Sequence, residues 1–174
     1  MIWLRITGCV LVTASCGALG IRKARQWRLH RQMLERLRRM VYLLRGEILY
    51  AMSPLPEALE RVGRKSDGPA AVWFCRMAER LKRQEGETFS RIWREELDGQ
   101  ARAMLLSQRE TAELAEFGEH LGYLDVGMQE RTIALYLEQL DLSIGFMREH
   151  EQERTRMCTC LGIMGGLFLA VILC

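Results

Sequence analysis

The apolar residues of this sequence are concentrated at its two ends. Positions 6–21 contain no charged residue, and three apolar residues before Arg5 extend this run. A second uncharged run covers positions 157–174. About 20 apolar residues can cross the hydrocarbon of a bilayer as a helix, because a helix satisfies its own backbone amides. We therefore predict transmembrane helices at 1–21 and 157–174.

Basic residues beside both runs indicate how the chain is oriented. They follow the first run and precede the second, and basic residues are retained on the cytoplasmic side of a membrane. The sequence therefore predicts a cytosolic domain at 22–156, with both termini outside. We expect the first cluster also to contact lipid headgroups; it comprises Arg22, Lys23, Arg25 and Arg28, and Arg154 and Arg156 precede the second run.

A secretory signal is the alternative interpretation of the first run. Residues 13–15 before Cys16 resemble a poor lipoprotein-type cleavage site, and cleavage there would leave the domain outside the cell. A signal peptide carries its positive charge before the apolar run, whereas here the stronger basic cluster follows it. We therefore interpret the first run as a retained anchor.

Two glycines in the second run have the spacing of a helix-packing motif. Gly162 and Gly166 form a GxxxG pair, which lets two transmembrane helices approach closely. Glycine is also common in such helices for other reasons, and the sequence favours neither interpretation. Association through these glycines is therefore one of two open hypotheses.

The residues between the two runs show helical periodicity almost throughout. Apolar positions recur at steps of three and four, and Pro and β-branched residues are few. We predict an all-α domain, an antiparallel bundle of about six helices whose first and last helices continue into the transmembrane segments. The predicted stripes are Trp27, His30, Leu34, Leu37, Val41, Leu44 and Ile48; Leu55, Leu59 and Val62; Val72, Trp73, Met77 and Leu81; Phe89, Ile92, Trp93 and Leu97; Leu114, Phe117 and Leu121; and Val126, Ile133, Leu137, Leu140, Ile144 and Met147.

Turn and capping residues separate these stripes. Ser53 precedes two prolines and is a candidate cap for the second helix, which we expect to end at Gly63. Ser107 and Glu110 have the spacing of a capping box. Gly122 then ends that helix, and Asp125 is a candidate cap for the last one.

Composition and charge change this picture little. The chain has 174 residues, of which 49% are hydrophobic and 27% charged, and its net charge is +3. The charge is graded, with +7 over residues 22–50, zero over 51–99 and −5 over 100–157. We predict that the basic cluster at 22–28 attracts the acidic side chains Glu149, Glu151 and Glu153 of the last helix, although exposed pairs are each worth under about 1 kcal/mol.

Residues suited to catalysis or metal binding do not form a recognisable constellation. His30, His120 and His150 fall on three separate predicted helices without paired ligands, and five of the six cysteines lie in the apolar ends. A series of glutamates at 110, 113, 116 and 119 is a weak candidate for acid–base carboxylates. The sequence also lacks a phosphate-binding loop and a nucleophile elbow. We therefore expect no enzymatic activity, no metal, no cofactor, no small-molecule substrate and no nucleic-acid partner.

Two short motifs resemble the signatures of a known family. The segment PLPEALER, which begins with Pro54, Leu55, Pro56 and Glu57, resembles a signature of the stage III sporulation protein AB family. A second signature of that family is similar to the pattern formed by Phe117, Gly118, Leu121, Gly122, Asp125 and Gln129. The order of anchor, helical domain and glycine-rich anchor also matches, so the resemblance covers the whole chain.

The resemblance implies a function that periodicity and spacing do not reach. The family is similar to one cytoplasmic domain of the inner-membrane platform proteins of type II secretion and type IV pili. The resemblance implies that this chain is a scaffold subunit of a channel-like complex between mother cell and forespore. Its implied partners are a cytosolic secretion ATPase and the other membrane subunits of that complex. The motif residues would then serve the fold or contact a partner. The alternative is a general membrane-tethered adaptor unrelated to secretion.

Overall fold

The structure, a computed structural model, describes the backbone of residues 2–83, 86–122 and 126–173. Side chains are described in these ranges except at 2–14, 16, 17, 19–21, 24, 126, 151–156, 158, 159, 161–163 and 165–173. All regular secondary structure in the described ranges is helical, which confirms the predicted all-α class and the six helices. They are α1 (Ile2–Leu49), α2 (Leu55–Arg64), α3 (Pro69–Lys82), α4 (Phe89–Gln100), α5 (Gln108–Leu121) and α6 (Val126–Leu173).

The chain divides into two compact units. Residues 32–144 form one, here called the bundle unit, and residues 1–31 and 145–174 form the other, here called the terminal unit. In the bundle unit α2 packs on α3, α3 on α4 and α4 on α5. Ion pairs join α1 to α6: Arg38 binds Asp141, and Arg45 Nη2 lies 2.7 Å from Glu130 Oε1. Since the numbering rises on α1 as it falls on α6, this pair of helices is antiparallel.

The predicted apolar stripes of α1 and α6 form much of the core of the bundle unit. On α1 the stripe from Leu34 to Ile48 is buried, and Met33 and Met40 widen it. On α6 the buried positions include Ile133, Leu140 and Ile144 as predicted, whereas Leu137 is only half-buried. Tyr136 is buried in addition, because its ring stacks on Phe117 at a centroid distance of 4.5 Å.

An aromatic cluster occupies the centre between α3, α4 and α5. The ring centroids of Trp73 and Trp93 are 4.7 Å apart, and Trp93 lies 5.8 Å from Phe117. Phe74, which the predicted stripe omitted, is fully buried beside both tryptophans. The prediction that Val72 is buried was wrong, since it is 49% exposed. The buried face of α3 follows Ala70, Phe74 and Ala78 at helical steps of four, which turns position 72 outward.

The structure confirms some of the predicted helix caps and ends and contradicts others. The capping box at α5 is confirmed: Ser107 N donates to Glu110 Oε2 at 2.7 Å, and Glu110 N donates to Ser107 Oγ at 3.3 Å. The prediction that Ser53 caps α2 was wrong, because α2 begins after Pro54 without a side-chain cap. Gly63 does not end α2, which continues to Arg64. Asp125 lies outside the described residues.

The terminal unit contains the parts of α1 and α6 that were predicted to cross a membrane. Among the residues that the structure describes, no helix combines the length and apolar character that crossing a membrane requires. The transmembrane continuation of the first and last helices is therefore not supported. Most side chains of both predicted spans, including those around Gly162 and Gly166, lie outside the described set. The four basic residues at 22–28 are exposed on α1.

Candidate functional site

The corner where α1 passes into α2 is held by a network of ionic side chains. Glu47, on the last turn of α1, has a side chain that is only 14% exposed. Its carboxylate accepts from Arg61 Nη1 at 3.1 Å and from Lys65 Nζ at 3.2 Å, both on or just after α2. Ser53 Oγ accepts from Arg61 at 3.0 Å and donates to Glu47 at 3.4 Å. The Ser53 hydroxyl therefore ties the two helices together and does not cap either one.

The network also fixes the charge of Glu47. Burial raises the pKa of this carboxyl, but the hydrogen bonds from Lys65 and Arg61 outweigh burial, so the pKa lies below its usual value. A partly buried carboxylate that is ionised at neutral pH and paired with two cations stabilises a helix–helix contact more than an exposed ion pair does. The corner is consequently fixed at both helix ends.

The first signature segment builds one side of this corner. Pro54 and Pro56 start α2, where proline costs little because first-turn amides have no intrahelical partner. Leu55 is half-buried, and Glu57 Oε2 accepts from Arg61 Nη2 at 3.5 Å. Arg61, the last residue of this signature, thus pairs with Glu57 within the signature and with Glu47 at the end of α1. The first signature therefore positions the corner.

Three large apolar side chains are exposed at this corner, and together we call them the corner patch: Tyr42, Tyr50 and Met52. Tyr50 and Met52 are 84% and 83% exposed, and Tyr42 is 62% exposed. Between the two tyrosines Gly46 has open space around it. Met52 has a φ of +48°, a left-handed conformation that is unfavourable for a residue with a Cβ. The fold therefore holds an apolar side chain in solvent on a strained backbone.

The second signature lies on another part of the bundle unit, where α4, α5 and α6 meet. A Cβ at Gly118 would lie 2.1 Å from Trp93 Nε1, and a Cβ at Gly122 would lie 2.5 Å from Phe89 Cδ1. The Trp93 indole donates to the Leu114 carbonyl at 2.8 Å. Each glycine thus leaves room for an aromatic ring of α4. Phe117 and Gly118 are accordingly buried in the core.

A hydrogen bond adds α6 to this junction. Gln129 Nε2 donates to the carbonyl of Leu121, at the end of α5, at 3.0 Å. Because Leu121 is in the last turn of α5, its carbonyl lacks an intrahelical partner, and the glutamine supplies one. The structure thus brings the second signature together, with the exception of Asp125, which lies outside the described residues. The geometry of these residues is that of helix packing.

The candidate acid–base glutamates of α5 face different partners. Glu110 is used in the capping box, Glu113 accepts from Arg109 at 2.8 Å, and Glu119 pairs with Arg94 on α4. Glu116 lies 4.0 Å from the ring of His120. Glu113 and Glu116 line one open cavity between α5 and α6, whereas Glu110 and Glu119 are engaged elsewhere.

Neither the histidines nor Cys75 forms a reactive or metal-binding centre. Over the described part of the chain no three side chains of metal-ligating type converge. His150 sits on Phe146, with its Nδ1 at 2.9 Å from the Phe146 carbonyl oxygen. Burial raises the pKa of the Cys75 thiol, which keeps it protonated at neutral pH. A Cβ at Gly63 would lie 2.6 Å from this sulfur, so Cys75 fills a close α2–α3 contact.

The corner between α1 and α2 was not predicted as a candidate site from the sequence. Glu47, Lys65 and the corner patch were not among the candidate residues, although Arg61 falls within the first signature. A signal was available in the break of helical periodicity at 50–53, where apolar residues stand in a connecting segment. The bundle unit is thus a helical module whose described residues display an apolar corner. That arrangement is typical of an interaction or scaffold module.

Comparison with known proteins identifies the family of this chain. The sequence profile described as stage III sporulation protein AB matches residues 5–174. The chain therefore belongs to the stage III sporulation protein AB family, as the two signatures predicted. Stage III sporulation protein AB of Bacillus subtilis (strain 168) is 24% identical over 170 residues, covering 98% of this chain and 99% of that protein.

A solved structure agrees with the fold. The structure of a stage III sporulation protein AB (SpoIIIAB) superimposes with a TM-score of 0.63 at 24% identity, over 70% of this chain and 94% of that one. At this level of identity the likeness supports the helical fold alone. Membership of a sporulation family rests on the match to the family profile over nearly the whole chain.

Proposed function

We propose that this chain is a non-enzymatic platform subunit, anchored twice in the membrane around the forespore, of a secretion-like complex between mother cell and forespore. Its bundle unit docks the cytosolic secretion ATPase of that complex and holds it beside the other membrane subunits. Family membership supports the sporulation role. The uncharged runs at 6–21 and 157–174 support the anchors, and Arg22, Lys23, Arg25 and Arg28 support the cytosolic placement.

The corner patch is the observation that carries the docking role. Tyrosine and methionine are enriched in the cores of protein interfaces, where a few large side chains supply most of the binding energy. Met52 is exposed on a backbone conformation that costs energy, and such strain is found where a segment has a function besides stability. The ion pairs of Glu47 preorganise the patch, so docking loses little conformational entropy. We propose Tyr50 and Met52 of the corner patch as the ATPase-facing surface.

The docking test uses a matched pair of substitutions. Asparagine accepts the left-handed conformation better than other residues with a Cβ, so Met52→Asn removes the apolar side chain and keeps the turn. Leu105 is the matched control, because it is 41% exposed and also has a positive φ, of +55°. Leu105→Asn therefore removes an exposed apolar side chain from a left-handed position outside the corner patch. We expect the full-length chain carrying Met52→Asn to recover about tenfold less ATPase from membranes of sporulating cells, equal to ~1.4 kcal/mol, and Leu105→Asn to recover the normal amount. Equal recovery by both variants would contradict the docking site.

The anchors need a separate test with an exposed thiol. Cys75 is a poor probe, because it is half-buried and burial raises its pKa. Val72 is exposed on the neighbouring turn of α3, so Val72→Cys supplies an accessible thiol. We expect an impermeant maleimide to label Val72→Cys only after the cells are opened, and the chain to sediment with membranes. Labelling of intact cells would favour the lipoprotein alternative, and a soluble chain would remove the anchors altogether.

A membrane-tethered adaptor outside any secretion machine is distinguished by the same pull-down. The platform proposal expects the ATPase and the complex's membrane subunits to be recovered together. Recovery of the chain from membranes with neither of them would leave only the adaptor. Within the proposal, Gly162 and Gly166 pack the second anchor against another transmembrane helix, and Asp125 caps α6.

A further inference from the structure

An outward face of α6 in the bundle unit carries apolar residues at a constant spacing. Met128, Leu135 and Leu142 are seven residues apart and are 59%, 55% and 69% exposed. Seven residues are close to two helical turns, so the three side chains follow one line along the helix. Arg131 and Glu138 lie along the edge of this line and are also exposed. This is the pattern of a helix that packs against a partner helix.

A second outward face, on α1, carries a basic side chain that could pair with Glu138. Arg39 and Tyr42 are exposed there, with Tyr42 62% exposed. Within the described part of the chain neither Arg39 nor Glu138 takes part in an ion pair. Each face thus offers a charge for which the other has the counter-charge.

The ion pairs between α1 and α6 fix which residues stand at equal height along the two helices. Arg38 Nη2 lies 3.1 Å from Asp141 Oδ2, and Arg45 Nη2 lies 2.7 Å from Glu130 Oε1. Positions on α1 and α6 that add up to about 175–179 are therefore level. By this relation Arg39 is level with Glu138, and Tyr42 is level with Leu135. All four side chains are exposed, and among the described residues Arg39 and Glu138 do not pair within one molecule.

We propose that two copies of this chain pair through these faces, with α1 of each copy lying antiparallel to α6 of the other. Tyr42 then packs on Leu135 of the second copy, and Arg39 pairs with Glu138 of the second copy. Both contacts occur twice about a two-fold axis. The four helices form an up-and-down arrangement like that of a four-helix bundle. A closed two-fold interface of this kind is the commonest form of self-association.

The register follows from a two-fold axis that runs along α1 and α6. Rotation about this axis leaves the position of every residue along it unchanged, so level residues of one copy are level across the interface. The direction of the pairing rests on the proposed anchoring, which places both copies in one membrane. Pairing α6 with α6 in antiparallel fashion would also bring Arg131 to Glu138, but it would point the membrane ends of the two copies in opposite directions. One shared membrane favours the α1–α6 pairing.

The test cross-links two differently tagged full-length chains in membranes. One chain carries Tyr42→Cys and the other Leu135→Cys, and a short bifunctional maleimide is added. We expect a product containing both tags, formed far more efficiently than when Val72→Cys, on an exposed part of α3, replaces either cysteine. Equal yields from the Val72→Cys control would overturn the proposal. So would efficient linkage of two Leu135→Cys chains, which is the product of α6–α6 pairing.

Charge reversal provides an independent measurement. Arg39→Glu in both chains faces Glu138 with a like charge, which we expect to weaken cross-linking about tenfold, or ~1.4 kcal/mol. Glu138→Arg alone should have the same effect, and the two reversals together should restore the yield. Failure of the double reversal to restore it would refute the pairing of Arg39 with Glu138.

The two proposals fail in different ways. Met52→Asn should leave the cross-link unchanged, since the corner patch residue Met52 is not among the paired positions. If the cross-link is absent while the ATPase is still recovered through Met52, only the self-association is wrong. If the cross-link forms in membranes but Met52→Asn recovers the ATPase normally, only the docking surface is wrong.

Discussion

Replacing Gly118 by alanine tests the account of the second signature most directly. The new Cβ would lie 2.1 Å from Nε1 and 2.2 Å from Cδ1 of Trp93, and both of these atoms belong to a fully buried ring. Contacts this short are not possible, so the indole or the α4–α5 spacing has to change. Because Trp93 also packs on Trp73 and Phe117, the ring cannot move without disturbing its neighbours.

The size of the effect follows from three contributions. Overpacking a core costs about 1–3 kcal/mol. Moving the indole also breaks its hydrogen bond to Leu114, and a buried donor left without a partner costs about 1–3 kcal/mol. Alanine gains ~1 kcal/mol over glycine in a helix interior. We expect Gly118→Ala to lower the free energy of unfolding by about 2–3 kcal/mol and the Tm by roughly 6–9 °C for a chain of this size.

Thermal and urea unfolding of the purified chain, followed by tryptophan fluorescence, measure this loss. Gly46→Ala is the matched control, since Gly46 is also inside a helix but its Cβ would meet no atom within 4 Å. The control should be neutral or more stable by up to ~1 kcal/mol. The packing role of Gly118 would be refuted if Gly118→Ala were as stable as Gly46→Ala.

Three further predictions concern the capping box, the tryptophans and the corner. Ser107→Ala removes the cap of α5 and should cost ~1 kcal/mol in urea unfolding, a loss that an unchanged midpoint would contradict. Trp73 Nε1 is buried without a hydrogen-bond partner among the described atoms, whereas Trp93 Nε1 donates one. Trp73→Phe should therefore destabilise the chain by ~1 kcal/mol less than Trp93→Phe, and the reverse order would count against this assignment. Folding lowers the pKa of Glu47 below the value of about 4.3 that it has in the unfolded chain. The carboxylate therefore stabilises the fold at pH values above about 4.3, and this stabilisation is lost as the pH falls through the lower pKa of the folded chain. The free energy of unfolding should fall more steeply below about pH 4.5 for the parent chain than for Glu47→Gln, and parallel pH curves would exclude the effect.

The helices could be predicted from the sequence because each carries a periodic apolar stripe. Leu34, Leu37, Val41 and Leu44 on α1 repeat at three and four, and all are fully buried. The capping box was predictable for a similar reason, since Ser107 and Glu110 interact within one turn. Local spacing is sufficient where both partners belong to one helix.

Features that depend on two helices could not be derived in this way. Ser53 has the sequence position of a cap, but its hydroxyl bonds to Glu47 and Arg61 on two different helices. Val72 fits an apolar stripe on α3, but Phe74 occupies the core because Trp73 and Trp93 lie beside it. The break of periodicity at 50–53 indicates a connecting segment, but whether Tyr42, Tyr50 and Met52 stay exposed depends on how the helices pack. The second signature was recognised as a pattern, and the clash of a Cβ with Trp93 explains it.

The order in which the elements pair has a consequence for synthesis of the chain. From α2 to α5 each helix packs on the next one, so these contacts can form as soon as each helix leaves the ribosome. The pairing of Arg38 with Asp141 instead joins positions 103 residues apart. The side of α1 that pairs with α6 therefore stays uncovered until α6, the last helix, is made, and contacts of such long range form slowly. During translation this side of α1 is the surface that we expect chaperones to bind.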